Sequence, residues 1–423
     1  LVLDAAWTAN RVLLSRKTTV ENPLLGFNNS KMITVPTQFQ LVSDRNLLPV
    51  TVRAANLLTG EEFAVVPDNT IGNTPSRRNI PVIKKEQKPT EVWSDDRVVE
   101  GVHKIDWPVK ILPGTTLRMR PGASLIFRNR VLVEGTQGAP VRVISDIPGE
   151  FWGTVALHGP NTSESVLSHL VMENGSGAFV ENIRYIGMLS VHEARNVEFR
   201  NLILRKNSKF DDMMHIVYSE DIRLLGCVFQ KAFSDGLDVD ISTVRIQGCR
   251  ISGSGNDAID LMDSKVLIMA SELSHSGDKG VSVGEGSKAL IYNSNLHHNV
   301  NGVESKDGSV AYVVNSDLIK NDRQINAYKK NWHYGSGGRV IIDKSIFSSV
   351  DNSIKGDKKS DIGIFDSTFS TGFGKKDQQV LIDSLSDDSG ERKAASADYQ
   401  MIIAKALQDW GIKGNADRRG MLR

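Results

Sequence analysis

Between residues 224 and 370 one short pattern recurs: an apolar residue, a few small or polar residues, then another apolar residue. It reads LLGCVF at 224–229, IQGCRI at 246–251, IMASEL at 268–273 and IYNSNL at 291–296. VVNSDL at 313–318, IIDKSI at 341–346 and IFDSTF at 364–369 continue it, the starts stepping by 22, 22, 23, 22, 28 and 23 residues. A second ladder runs in phase, with Leu237, Ile259, Val281, Val303 and Ile325 each 22 residues apart and Ile354 following after an insertion. Two short strands per period cannot bury an apolar face alone, but stacked on their neighbours they line one continuous core. The spacing predicts an all-β solenoid with coils of about 22 residues.

Other solenoids do not fit. Leucine-rich repeats need a fixed Leu/Asn framework, and helical repeats need longer periods with helical periodicity. The pattern resembles the right-handed parallel β-helix superfamily, the pectin-lyase-like group, which includes many carbohydrate-binding and sugar-processing proteins. Earlier segments join the first ladder with longer turns: VLSHLV at 166–171 and FRNLIL at 199–204. ILPGTTLRMRPGASLIF at 111–127 carries two Pro-Gly turns between alternating apolar residues, as first coils should. The organisation expected is an N-terminal extension of unassigned fold at 1–100, the parallel β-helix at 101–375, and a C-terminal tail at 376–423. In the tail, Tyr399, Ile402, Ile403, Ala406, Leu407 and Trp410 fall at helical spacing, predicting a helix over about 396–410 with Ser396 as N-cap and Gly411 as stop. That helix reads as a cap over exposed strand edges or as packing, or else as a docking element for a protein partner, a role the N-terminal extension also suits.

Net charge is +1, from 51 basic and 50 acidic residues, which gives no reason to expect nucleic acid or an anionic membrane as partner. No apolar run approaches the length of a membrane span. The chain begins at Leu1 rather than Met, as a processed or trimmed chain would, and no signal peptide is visible. The resemblance implies a secreted, periplasmic or cell-surface location. Cys227 and Cys249, one period apart, share a ladder position with Ser271, Ser294 and Ser316. They are expected to be free buried thiols, a disulfide being the alternative.

Residues one period apart sit one strand spacing apart, about 4.8 Å, so the sequence becomes a map. Outward of the second ladder lie Asp238, Asp260, Ser282, Glu304 and Asn326, with His215 of DDMMHIVY aligned one rung before Asp238. Two positions on stand Asp240, Met262, Gly284, Lys306 and Tyr328, and at the preceding turn Asp235, Asp257, Lys279, Asn301 and Arg323. Like charges on adjacent rungs destabilise a sheet unless a proton or cation compensates. Asp235 and Asp257 read as caps of the bend.

Three chemistries suit the patch. Asp238 and Asp260 can serve as an acid/base pair modulated by His215. Polygalacturonase-like members of the resembled superfamily use clustered Asp plus His, but their Asn-Thr-Asp and Gly-His-Gly stretches are missing here. A lyase or epimerase needs a base and neutralisation of a uronate carboxylate, for which Lys279, Lys306, Arg323 and Tyr328 beside Glu304 are candidates. Finally, Asp235, Asp240, Asp257 and Asp263, with Asp238 and Asp260, are hard oxygen ligands that suit Ca²⁺. The insertion KKNWHYGSGG at 329–338 should bulge from the stack, with Trp332, His333 and Tyr334 as a sugar platform. Aromatic residues make up only 6% of the chain and form no row along the coils, so stacking surfaces are otherwise scarce. Two readings stand. One is an extracytoplasmic protein that recognises, with or without processing, an extended polysaccharide. The other is a non-catalytic structural or assembly module of a larger surface or secreted complex.

Overall fold

The computed structural model describes residues 89–208, 211–348, 353–365 and 367–370, part of 401–412, and the backbone of five short strands before residue 64. The chain divides into two units, Leu1–Lys84 and Lys85–Arg423. In the first, Val2–Ala5 pairs antiparallel with Val52–Ala55, which also pairs with Glu62–Phe63, and Leu13–Lys17 pairs with Gln38–Val42.

The second unit is a parallel β-helix of about twelve coils. Each coil lays down three short strands, and corresponding strands of successive coils pair in parallel into sheets of twelve, twelve and eleven strands. We number the strands of the eleven-stranded face, which carries the candidate site. They are β1 (Val102–Ile105), β2 (Ser124–Phe127), β3 (Val155–His158), β4 (Gly187–His192), β5 (Asp212–Val217) and β6 (Leu237–Asp240). Then come β7 (Ile259–Met262), β8 (Lys279–Gly284), β9 (Asn301–Lys306), β10 (Arg323–Tyr328) and β11 (Ile354–Gly356). Leu237, Ile259, Val281, Val303, Ile325 and Ile354 are register partners in sequence, as the second ladder requires. The first five of them are fully buried.

The first ladder slips by one residue at two rungs; at the earlier, Leu167 and not Val166 pairs with Phe199. At the later, Val313 pairs with Ile342, not Ile341, so the long step is 29 residues and the following one 22. Val340, Ile341 and Ile342 are all apolar, which left the slip invisible to pattern alone. Consequently Lys344 takes the left-handed bend position (φ 49°) shared by Gly226, Gly248, Ala270, Asn293 and Asn315. The next column is a hydrogen-bonded ladder. The N–H of Cys227 donates to Cys249 Sγ (3.3 Å), that of Cys249 to Ser271 Oγ (3.1 Å), and the chain of donors continues through Ser294, Ser316 and Ser345 to Ser367. Both thiols are free and buried.

Two elements depart from the repeat. An antiparallel hairpin, Ala178–Val180 paired with Ile183–Tyr185, is inserted just before β4. The other is the 329–338 loop after β10, tied down where Asp307 Oδ1 accepts the N–H groups of Lys330 (2.7 Å) and Asn331 (2.8 Å). Within 401–409 the described backbone is helical; the expected start at Ser396 lies outside the described residues. Ile403 and Trp410 pack with Leu267, Leu290, Tyr292, Val314, Ile341 and Phe365 on the outside of a twelve-stranded face. The helix therefore covers a sheet's flank and not its strand edges, because that face carries an outward apolar column needing cover.

A candidate acidic site on the eleven-stranded face

The outward column of this face reads, rung by rung, Lys104, Ile126, Ala156, Ser190, His215, Asp238, Asp260, Ser282, Glu304, Asn326 and Lys355. The expected alignment of His215 with Asp238, and of Asp238 with Asp260, is present. Around His215 the structure gathers more acid than the column alone holds. His215 Nε2 lies 3.3 Å from Asp240 Oδ2 and 4.0 Å from Asp238 Oδ2. One rung to the side, Asp211, Asp212 and Asp235 bring carboxylate oxygens within 4.8 Å of one another. Asp212 is 1% exposed, and its Oδ2, like His215 Nδ1, has no hydrogen-bond partner.

The local backbone explains the crowding. Gly236, inside SDGLDVD, is needed for close approach and not for an unusual turn: a Cβ there would lie 2.6 Å from Ile251 Cγ2 and 2.7 Å from the Ala258 carbonyl oxygen. Asp235 Oδ1 accepts the N–H of Asp257 (2.7 Å), and Asp257 Oδ1 accepts that of Lys279 (2.9 Å). Each thus caps the bend of the next coil. Burial drives the carboxyl pKa values upward, because the charged form loses water. Asp235 is pushed up to about 6 and Asp257 to about 7, the second despite Lys279 nearby. Asp212 and Asp238 are raised further, first by burial and then by each other's neighbouring carboxylates, Asp240 and Asp260 among them. Such a group keeps a proton at neutral pH, as a general acid must.

The far half of the strip is different, because its groups answer one another. Glu304 accepts from the Tyr328 hydroxyl and from Asn326 Nδ2, both at 2.9 Å. Lys279 Nζ reaches Asp257 (3.4 Å), Asp278 and Glu304 (3.9 Å). Burial opposes the charge on Lys279, but these three carboxylates outweigh it and raise its pKa. The raised acid and the raised lysine pull the Asp257–Lys279 pair in opposite directions. We take Lys279 as charged, since three acids share it, and Asp257 as the group that takes up a proton first. Lys306 Nζ donates to Ser282 Oγ (3.1 Å), and Arg323 Nη1 donates to Asn301 Oδ1 (3.2 Å).

Of the residues singled out from sequence, the structure brings together Asp235, Asp238, Asp240 and His215. Asp260 is on the next rung with Oδ1 turned to its own neighbour, accepting the Leu261 N–H (3.0 Å). Lys279, Glu304 and Tyr328 lie on β8 to β10, with Glu304 holding the other two, while Lys306 on β9 is bonded to Ser282 and Arg323 on β10 to Asn301. Asp263 is exposed on the turn after β7, apart from both acidic groups, and Trp332 stands 80% exposed on the 329–338 loop. Sequence reasoning missed Asp211 and Asp212, although Asp212 lies 23 residues before Asp235 and so fits the period. It also missed the aromatic group that precedes them. His158, Tyr185, His192 and His215 contact in series, with ring centroids 5.8 Å (His158–Tyr185), 4.9 Å (Tyr185–His192) and 5.3 Å (His192–His215) apart. Burial, with the other two histidines adding, pushes His192 down to about 3, so this ring is neutral.

Residues 187–368, which carry this site, match the family model described as "Right handed beta helix region". The second unit is a right-handed β-helix. Solved structures of similar outline include the A-module of mannuronan C-5 epimerase AlgE4 from Azotobacter vinelandii, at 16% identity and a TM-score of 0.48, covering 64% of this chain and 90% of that one. The periplasmic alginate epimerase AlgG aligns at 12% identity and 0.44, covering 64% and 78%. Pectate lyase Pel9A aligns at 14% and 0.35, covering 59% and 70%. At these values the likenesses carry nothing about what this β-helix acts on. A comparison with curated proteins found no match. Among the described residues no helix is long and apolar enough to cross a membrane.

Proposed function

We propose that the β-helix recognises an extended polysaccharide outside the cytoplasm along the β4–β10 strip and performs acid–base chemistry on it at His215, Asp238 and Asp240. One observation carries the reading: His215 Nε2 stands between two half-buried carboxylates, Asp240 at 3.3 Å and Asp238 at 4.0 Å, and burial with the crowding of acids pushes the Asp238 pKa upward. Structural ion pairs elsewhere in the molecule are internally matched, as around Glu304. Here carboxylates outnumber cations, an arrangement that costs stability and is tolerated where function needs it. In the proposed reaction Asp238 donates its proton to a sugar oxygen. His215, whose Nδ1 is shut away from solvent and whose Nε2 faces Asp240, takes a proton from the sugar at Nε2. That pairing is a lyase's; an epimerase would return a proton to the carbon that lost it, and a hydrolase's base would take its proton from water and not from the sugar.

The Asp211, Asp212 and Asp235 group fits a hard cation such as Ca²⁺, since its donors are all carboxylate oxygens and one of them lacks any partner. A bound cation would neutralise substrate or protein carboxylates; the proton on Asp212 does the same for the protein without it.

The test is a panel of uronic and neutral polysaccharides incubated with the protein, scored for unsaturated-product absorbance, new reducing ends and C-5 configuration. Asp238→Asn and His215→Asn run alongside. Turnover lost in both variants supports the reading. Neither turnover nor binding on any polymer overturns it in favour of a structural or assembly module.

A further inference from the structure

We infer that the strip is blind at its β4 end, closed by the hairpin 178–185, so that the protein engages the end of a polymer chain and not its interior. This rests on the polysaccharide reading above. The outward column itself encodes the wall. It is polar from Ser190 onward but apolar at Ile126 and Ala156, two rungs that would otherwise face water. Both are fully buried because Val180 and Tyr185 of the hairpin pack on them, with Ala178 and Ile183.

The hairpin is fixed at both ends. At its tip, Glu181 pairs with Lys104, the column residue one rung before Ile126, and with Arg128 at 3.5 Å. At its base, the Tyr185 hydroxyl is 2.8 Å from His158 Nδ1, and its ring lies 4.9 Å from that of His192. Tyr185 is 1% exposed. It therefore covers the β3 rung and abuts the His192 ring on β4, the rung before His215. From β4 to β10 the strip rises six rungs, about 29 Å at 4.8 Å per rung. A polymer lying along the axis must end against Tyr185.

Binding stoichiometry tests this independently of chemistry. Short and much longer fractions of one polyuronate, and of one neutral polysaccharide, are titrated with the protein, and mass is read by analytical ultracentrifugation. An end binder loads one protein per chain whatever the length. Replacing residues 178–185 with a Gly-Gly link should convert this to loading that rises with length. Glu181→Ala, which frees the tip without touching the apolar contacts, should move loading in the same direction if the replacement variant does not fold. Several wild-type copies on each long chain, or unchanged single loading once the hairpin is removed, would overturn the blind end while leaving polysaccharide binding intact. Absence of wild-type binding to every polymer would overturn both.

Discussion

His215 Nε2 lies closer to Asp240, at 3.3 Å, than to its own register partner Asp238, at 4.0 Å. The two carboxylates flank one imidazole from alternate positions of β6, both on the outward side of the sheet. On the proposed reading Asp238, its pKa raised by burial and by its neighbouring carboxylates, is the proton donor, and Asp240 is the carboxylate that holds the ring in place. Asp260 lies one rung further on, with an oxygen committed to its own backbone neighbour. His215→Asn and Asp238→Asn should each lower turnover on the responsive polymer by about 10²–10⁴-fold. Asp260→Asn should cost about tenfold or less. Comparable loss in all three would move the acid/base pair to Asp238 and Asp260.

The carboxyl cluster sets a pH dependence of stability. Asp212 and Asp238 have folded pKa values raised above those of the unfolded chain, so above the ordinary carboxylate range the folded state binds more protons. Stability must then fall as pH rises. Asp235 and Asp257 contribute the same sign up to about 6 and 7. In a chelating buffer the melting temperature should drop between pH 7 and pH 9. Asp212→Asn should flatten that drop and stabilise the protein at pH 8 by at least about 1.4 kcal/mol, the equivalent of one pKa unit. A variant that melts lower than wild type at pH 8 would show that Asp212 is ionised and paired.

Calcium offers the other way to compensate the same charge. If Asp211, Asp212 and Asp235 take a cation, Ca²⁺ at a hundredfold excess over its dissociation constant should stabilise the fold by about 2.7 kcal/mol. Asp212→Asn should abolish the response, whereas Asp263→Asn, on its separate exposed turn, should leave it intact. A melting curve indifferent to Ca²⁺ and EDTA would leave the proton as the compensating charge.

Much of this was legible because parallel stacking turns a sequence interval into a distance. The alignment of His215, Asp238 and Asp260 in one column on successive rungs followed from the period alone, as did the thiol–serine column. What the period does not carry is which side chains lose water. Nothing in its spacing marks Asp212 as unusual; only its burial beside Asp235 does. The hairpin was hidden for another reason: its two strands, Ala178–Val180 and Ile183–Tyr185, are as short and as apolar as the strands of a coil. Ile341 and Ile342 were interchangeable until pairing fixed which one faces the core.

Trp332 tests the flank of the strip. It is 80% exposed and stacks on His333 with centroids 3.7 Å apart, which preorganises a flat apolar surface on the 329–338 loop. Because it buries little on folding, Trp332→Ala should change stability by less than about 0.5 kcal/mol. If the loop contacts sugar, the same change should weaken polymer binding several-fold by affinity electrophoresis. Unchanged affinity would confine recognition to the sheet face.

The serine column makes a prediction free of any assumption about function. Ser294 is 1% exposed, and its Oγ accepts the N–H of Ser271 at 3.2 Å while donating to the Tyr292 carbonyl at 3.0 Å. In the bend the Ser271 N–H has no carbonyl opposite it, so the hydroxyl of the next coil supplies the acceptor. Ser294→Ala strands that donor in the core and should destabilise the fold by about 1–3 kcal/mol in denaturant unfolding. Ser294→Cys should recover part of the loss, because Cys249 fills the same role for Cys227 one coil earlier, at 3.3 Å. Equal stability of the alanine and cysteine variants would mean that the column is set by side-chain size and not by the bond.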